Sequence, residues 1–303
     1  MTGSDLQRHF SEAGHPAFAI AFFSCMNNVS NLAGSYRFIL ETLRLSDCKI
    51  QNGTWKRKEI KDYFVLRSHF VDGRPQLSGF FPSGFVLEGK YTAVSVPVRA
   101  GQGGNESDDL ARLEIDRISA MVELILGVSS CTERHHLQFF SAAGGGASSY
   151  SNIATAGVGE TLEIKVTIEI GKFLSDRPKS NVGIEKIHAI CDLIARTRGS
   201  SDRNTSFMAY WIALESAVGG GKGRAKFANL LGSVYLDEKL KSMKEERDAF
   251  FHEGKSVIFS EYDEQIVRAS ICCSIFCNEN NISSARDIFN VIKVEEEARR
   301  ARA

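Results

Sequence analysis

The sequence predicts an α+β N-terminal domain with an antiparallel sheet over residues 1–180, followed by an all-α, up-and-down helical bundle over residues 181–303. Three observations lead to that division. Residues 48–99 hold short apolar runs broken by glycine and proline, the punctuation of strands and turns. Beyond Ser175-Asp-Arg-Pro-Lys-Ser180 every segment carries apolar residues three and four apart, which places them on one face of a helix. The links between those segments are short, and short links between amphipathic helices make antiparallel neighbours.

Composition bounds what the chain can be. At 303 residues, 43% hydrophobic and 24% charged, it has the make-up of an ordinary globular protein with enough apolar side chains for its own core. Lys plus Arg and Asp plus Glu both number 37, for a formal net charge of zero. No global positive field gathers nucleic acid, so any RNA contact rests on a local patch. Seven cysteines, at irregular spacing and with no secretory leader before them, fit a reduced cytoplasm better than a disulfide framework. The early apolar run Ala17 to Cys25 is too short to cross a bilayer, so no membrane association is expected.

In chain order, residues 1–16 read as a loosely tied terminus, and Ala17 to Met26 as a buried strand or short helix. Tyr36 to Leu43 has helical spacing. Asp72-Gly73 between two apolar runs signals a hairpin, and Lys90 to Val98 alternates at period two. Gly101 to Asn105 is a flexible break before a helix from Ser107 to Leu126 with an acidic first turn. Ser141 to Asn152, small and polar with three consecutive glycines, reads as a mobile loop. Leu162-Glu-Ile-Lys-Val-Thr-Ile-Glu-Ile170 alternates apolar with charged or polar residues and reads as a half-exposed strand. Six helices follow: Ile184 to Thr197, Ser206 to Val218, Arg224 to Tyr235, Asp237 to His252, Glu261 to Asn278 and Ser283 to Arg300.

The chemistry concentrates in Lys244-Glu-Glu-Arg-Asp-Ala-Phe-Phe-His-Glu-Gly254. His252 can exchange a proton near neutral pH, and Arg247 can hold a phosphate through two donors while keeping its charge. Asp248 lies four residues before His252, on the same helical face, where it can fix the imidazole tautomer. Arg247 and His252 project about 140° apart on an ideal helix. Converging on one phosphate therefore takes a long reach, a last turn loosened at Gly254, or a second copy of the chain.

These residues carry a resemblance. Arg247-Asp248-x3-His252 followed by Glu253-Gly254 is similar to the Arg-x4-6-His motif of HEPN domains, and the upstream Trp211-Ile-Ala-Leu-Glu215 resembles the Apea-like branch of that superfamily. The likeness covers roughly residues 180–300. It implies a helical bundle that pairs as a homodimer with a composite active site, and a metal-independent endoribonuclease of bacterial antiphage defence or toxin-antitoxin systems. It further implies an antitoxin or sensor as partner, RNA as substrate and no cofactor, with His252 as acid/base, Arg247 on the phosphate and Asp248 as orienter. Some members of the superfamily only bind, so a non-catalytic module that dimerises or holds RNA or protein is the alternative.

Other clusters have structural readings. Gly219-Gly-Gly-Lys-Gly-Arg-Ala-Lys226 lacks the hydroxyl residue after its lysine, and the strand before it, that a nucleotide loop needs. As an interhelical turn it offers Lys222, Arg224 and Lys226 to an RNA backbone, with Lys255 beside the motif as a fourth cation. Trp211 and Glu215 read as a core aromatic with a buried or interfacial carboxylate. Cys272, Cys273 and Cys277 read as buried thiols, and Cys131 with His135 and His136 lacks the second pair that a zinc site requires.

Overall fold

The computed structural model describes residues 3–15, 17–24, 32–55, 64–71, 74–82, 89–98, 106–127, 133–141, 146–154, 160–197 and 202–302. Among them the chain divides into two compact units. One comprises residues 1–119 and 130–154, the other residues 120–129 and 155–303.

The first unit is built on a seven-stranded sheet in the order β2-β5-β1-β6-β7-β3-β4, from β1 (Ala17–Ser24), β2 (Lys49–Trp55), β3 (Phe64–Val71), β4 (Arg74–Pro82), β5 (Gly89–Pro97), β6 (Glu133–Ser141) and β7 (Gly146–Ala154). Neighbours pair antiparallel except β3 and β7, which run parallel. The sheet is thus larger than the small antiparallel one expected from residues 48–99. The early apolar run is the strand β1, with Phe18, Ala19, Ile20, Ala21 and Phe23 buried. In β5, Thr92 to Val96 are buried without alternation, as in a strand covered on both faces. The pairing of Val71 with Arg74 bears out the hairpin, although Asp72-Gly73 itself lies outside the described residues, as does Gly101 to Asn105.

Three helices belong to this part of the chain: α1 (Gly3–Glu12), α2 (Leu32–Leu43) and α3 (Glu106–Leu126), the last passing into the second unit at residue 120. The terminus expected to be loosely tied is therefore helical to Glu12, and Phe10 is fully buried against Phe18, its ring stacked at 4.8 Å. Part of the expected loop from Ser141 to Asn152 is likewise ordered, as β7. Its small residues sit in a strand because β6 supplies ladder partners, Phe140 to Gly146 among them. Residues 142–145 lie outside the described set.

The second unit is helical: α4 (Glu160–Phe173), α5 (Ile184–Thr197), α6 (Arg203–Val218), α7 (Gly221–Leu231), α8 (Val234–Glu253), α9 (Glu261–Phe276) and α10 (Ile282–Arg300). Its core element is α9, buried nearly all round from Gln265 to Phe276 and packed against α4, α6, α8 and α10. A helix apolar on every side belongs in the middle of a bundle. Ser260 and Asp263 close its first turn with a reciprocal capping box. No helix among the described residues is long and apolar enough to cross a membrane.

Two expectations for this unit need correction. Leu162 to Ile170 is not a strand but most of α4. Leu162, Glu163, Val166, Thr167 and Ile170 face inward at helical spacing, while Ile164 and Ile168 stand 41% and 52% exposed. As a helix it groups with the residues that follow, in the unit that runs from residue 155 to 303. The expected helix from Arg224 to Tyr235 is two, broken where Gly232 takes the left-handed conformation at φ 61° and Ser233 caps α8 through Leu236 N.

A buried arginine ties the unit together. Arg268 on α9 is fully buried and donates from Nε to Leu124 O at 3.0 Å, from Nη2 to Thr167 Oγ1 at 2.7 Å and from Nη1 to Gln265 Oε1 at 2.6 Å. Thr167 in turn donates to Leu126 O at 3.2 Å. The last carbonyls of α3, which a helix leaves without internal partners, thereby find donors.

Candidate functional site

The sequence-predicted residues occupy the end of α8. Gly254 stops the helix at φ 66°, a conformation open to glycine without a Cβ penalty, and the amides of Gly254 and Lys255 turn back to Phe250 O and Ala249 O. The helix is regular through His252, so glycine ends the last turn without loosening it.

The segment after the motif is pinned rather than free. Val257 and Phe259 are buried, Val257 N donates to Asn204 Oδ1 at 2.9 Å, and the Phe259 ring meets Phe207 edge-on at 5.2 Å. Glu246 accepts from the backbone of Ile258; desolvation, then the charge of Asp263, pushes its carboxyl above the ordinary range.

Within one chain Arg247 and His252 part company. The Arg247 side chain is 22% exposed and lies with its guanidinium carbon 5.8 Å from the Trp211 ring centroid. Its Nε is 2.8 Å from Asp248 Oδ1, a charge contact without the alignment of a hydrogen bond, so that this buried nitrogen has no hydrogen-bond partner. His252 is exposed at the helix end. Phe251 beside it is 61% exposed and Ile258 is 81% exposed.

Asp248 takes a hydrogen bond from Lys244 Nζ at 2.6 Å as well as the charge of Arg247. The Lys244 hydrogen bond, then the nearby positive charges of Arg247, Lys244 and His252, hold its carboxyl below the usual range. Among the described residues no hydrogen bond joins Asp248 to His252; their link is through charge.

Of the four cations expected to meet RNA, Lys222 and Lys226 are exposed on α7, and Lys255 is exposed with its ammonium 2.5 Å from Glu253. Arg224 is turned inward, 7% exposed. It forms an ion pair with Glu215, and its guanidinium carbon stands 4.7 Å from the centroid of the Trp211 ring. Trp211 is 1% exposed, and its indole nitrogen makes no hydrogen bond.

Trp211 and Glu215, one helical turn apart on α6, are a core aromatic and a half-buried carboxylate, and between them they hold the guanidiniums of α7 and α8. Arg224 was legible as part of this group: with Phe227, Ala228 and Leu231 it completes a stripe at i, i+3, i+4 and i+7, all buried. The segment's helical reading was right, but the glycines before it placed Arg224 in an exposed interhelical turn.

Cys272, Cys273 and Cys277 are buried, and burial pushes all three thiols up. Cys131 lies outside the described residues.

The arrangement supplies a cation fixed at an aromatic face and, five residues on, an accessible imidazole at a helix end, with the exposed Phe251 as its chain neighbour. No family model, curated protein or solved structure matches the chain.

Proposed function

We propose that the protein is a metal-independent endoribonuclease of HEPN type, acting in the cytoplasm in antiphage defence or a toxin-antitoxin pair. The observation that carries this reading is the half-buried Arg247, held at Trp211 with one nitrogen unpartnered, on the same glycine-terminated helix end as the exposed His252.

His252 takes the proton of a ribose 2′-hydroxyl as that oxygen attacks the adjacent phosphorus. The new 2′-oxygen–phosphorus bond forms as the bond to the 5′-oxygen breaks. An imidazolium or water protonates the leaving oxygen, giving a 2′,3′-cyclic phosphate and a 5′-hydroxyl. Arg247 stabilises the charge that grows on the phosphoryl oxygens. Asp248, sharing its charge with Arg247 and His252, orients the pair.

Because Arg247 points to Trp211 and His252 to solvent, a homodimer that brings one copy's His252 to the other's Arg247 completes the site. The exposed Phe251 and Ile258 supply apolar surface for that contact. Lys222, Lys226 and Lys255 are the local cations for the RNA backbone, and an antitoxin or sensor is the further partner.

A second reading, a non-catalytic module that dimerises or binds RNA or protein, is favoured by the engagement of Asp248 with Lys244 and by the zero net charge. Purified protein incubated with RNA in excess EDTA separates the two. The nuclease reading expects cleavage to cyclic-phosphate ends and its loss, by about a hundredfold or more, in His252→Ala. Full activity in that variant removes His252 from the mechanism. Absence of cleavage by the unaltered protein, with a cellular effect that survives loss of both Arg247 and His252, establishes the binding module.

A further inference from the structure

We infer that Glu215 and Arg224 are positioning residues that hold the Arg247 guanidinium at the Trp211 ring. The inference rests on the proposed role of Arg247 as the cation that receives the reacting phosphate.

Two guanidiniums approach one indole, Arg224 at 4.7 Å and Arg247 at 5.8 Å. An aromatic ring attracts a cation, but two uncompensated cations at the same ring repel each other in surroundings that screen poorly. Glu215 resolves the conflict. It stands one turn along α6 from Trp211 and pairs with Arg224, whose side chain is only 8% exposed. Arg224 thereby becomes a neutralised, planar strut between α6 and α7, and the ring can carry a second cation.

Arg247 is held differently. Its counterion is Asp248 on its own helix, and Asp248 is divided between it and Lys244. Its Nε is buried with no hydrogen-bond partner. The ring fixes the guanidinium in place while leaving its charge weakly compensated, as a group requires that must meet an incoming anion.

Removing the negative charge of Glu215 sets the Arg224 charge against that of Arg247, and Arg247 leaves the ring. Replacing Arg224 by lysine keeps the charge but loses the planar fork that pairs with a carboxylate and stacks at once. In either variant the phosphate-binding cation shifts, and a shift on the order of 1 Å in a reacting constellation is worth about a hundredfold in rate.

The experiment reads Arg247 directly. In 15N-labelled full-length protein its Nε–H signal is assigned by comparison with Arg247→Lys, and the Trp211 ring current and burial displace it from the position of a free arginine. Glu215→Gln and Arg224→Lys are expected to move it toward the free position and speed its exchange with water. Glu215→Asp, which keeps the charge, is expected to retain part of the displacement. Glu215→Gln and Arg224→Lys are both expected to lower kcat on single-stranded RNA by about tenfold or more with KM changed less than about threefold, the mark of an interaction made in the transition state.

Thermal unfolding identifies any variant that fails to fold, and the other variant then decides. An unmoved Arg247 signal in the folded variants overturns the proposal, whatever happens to RNA. A moved signal with unchanged kcat overturns it as well. If the unaltered protein leaves RNA uncut, the ribonuclease reading falls while the Arg247 signal alone decides whether Glu215 and Arg224 position it.

Discussion

Arg268→Met is the most demanding perturbation of the helical unit. The side chain is fully buried and its guanidinium serves Leu124 O, Thr167 Oγ1 and Gln265 Oε1 at 2.6 to 3.0 Å, with Ile125 O at 3.4 Å. Methionine fills much of the volume but donates nothing. Two carbonyls at the end of α3 are then buried with a lost donor each, at about 1–3 kcal/mol apiece. Glu163, itself 4% exposed, loses the positive charge that favours it. Breaking a buried charge constellation by removing one member costs about 3–5 kcal/mol, and the two carbonyl penalties, together about 2–6 kcal/mol, bracket that figure. The assay is urea unfolding in a Trp55→Phe background, so that Trp211, in the same unit as Arg268, is the only reporting indole. The midpoint is expected to fall sharply at unchanged slope, with amides near the end of α3 losing protection from hydrogen exchange. Arg268→Lys, which keeps the charge with fewer donors, is expected to fall between. A loss below about 1 kcal/mol in Arg268→Met, within what an ordinary surface change causes, refutes the idea that these hydrogen bonds close the end of α3.

Two further outcomes follow from particular contacts. Gly223→Ala places a methyl group 1.8 Å from Val218 O, so the start of α7 must move away from the end of α6; overpacking of this kind costs about 1–3 kcal/mol, measured by the same unfolding assay. Glu296 titrates against two opposed influences: burial raises its carboxyl, and hydrogen bonds from Lys239 and Tyr235 with the charge of Arg300 prevail and lower it. A carboxyl lowered on folding stabilises the protein above its unfolded pKa, about 4.3 for glutamate, and that contribution is lost as pH falls through the folded value. Glu296→Gln should therefore lower stability at neutral pH and flatten the loss of stability below about pH 4.3, read from melting temperature against pH; a parallel acid limb in the variant would show that Glu296 is not the titrating group.

The sequence told most where structure is local. The stop at Gly254 was readable because left-handed caps are set by the residue itself, and the helix α3 because its spacing lies within one segment, although Leu110, at the start of its apolar run, is 41% exposed. Leu162 to Ile170 misled because two patterns coincide there. Leu162, Val166 and Ile170 are four apart, yet Ile164 and Ile168 interleave them into a perfect alternation, and the β-branched residues lean the reading toward a strand. Packing decides it: α4 lies against α9 and α10, and a helix that leaves two isoleucines exposed while burying Glu163 is chosen by its neighbours, not by its own preferences. The site divides the same way. Arg247 and His252 stood out through their types and spacing on one helix, whereas the stack of Arg224 and Arg247 on Trp211 joins three helices, and only tertiary packing brings it about.

The cysteines of the helical unit have a practical corollary. Cys191, Cys272, Cys273 and Cys277 are all buried and in no disulfide, and burial raises Cys272 to about 12 and Cys273 well above its ordinary value. Reagents that require an accessible thiolate find none on this unit at neutral pH. A single cysteine introduced at an exposed position such as Lys222 would thus be the fast-reacting thiol of this unit, so that once Cys25, Cys48 and Cys131 of the first unit are replaced, a fluorophore or spin label could be attached to α7 with the four native cysteines of the helical unit left in place.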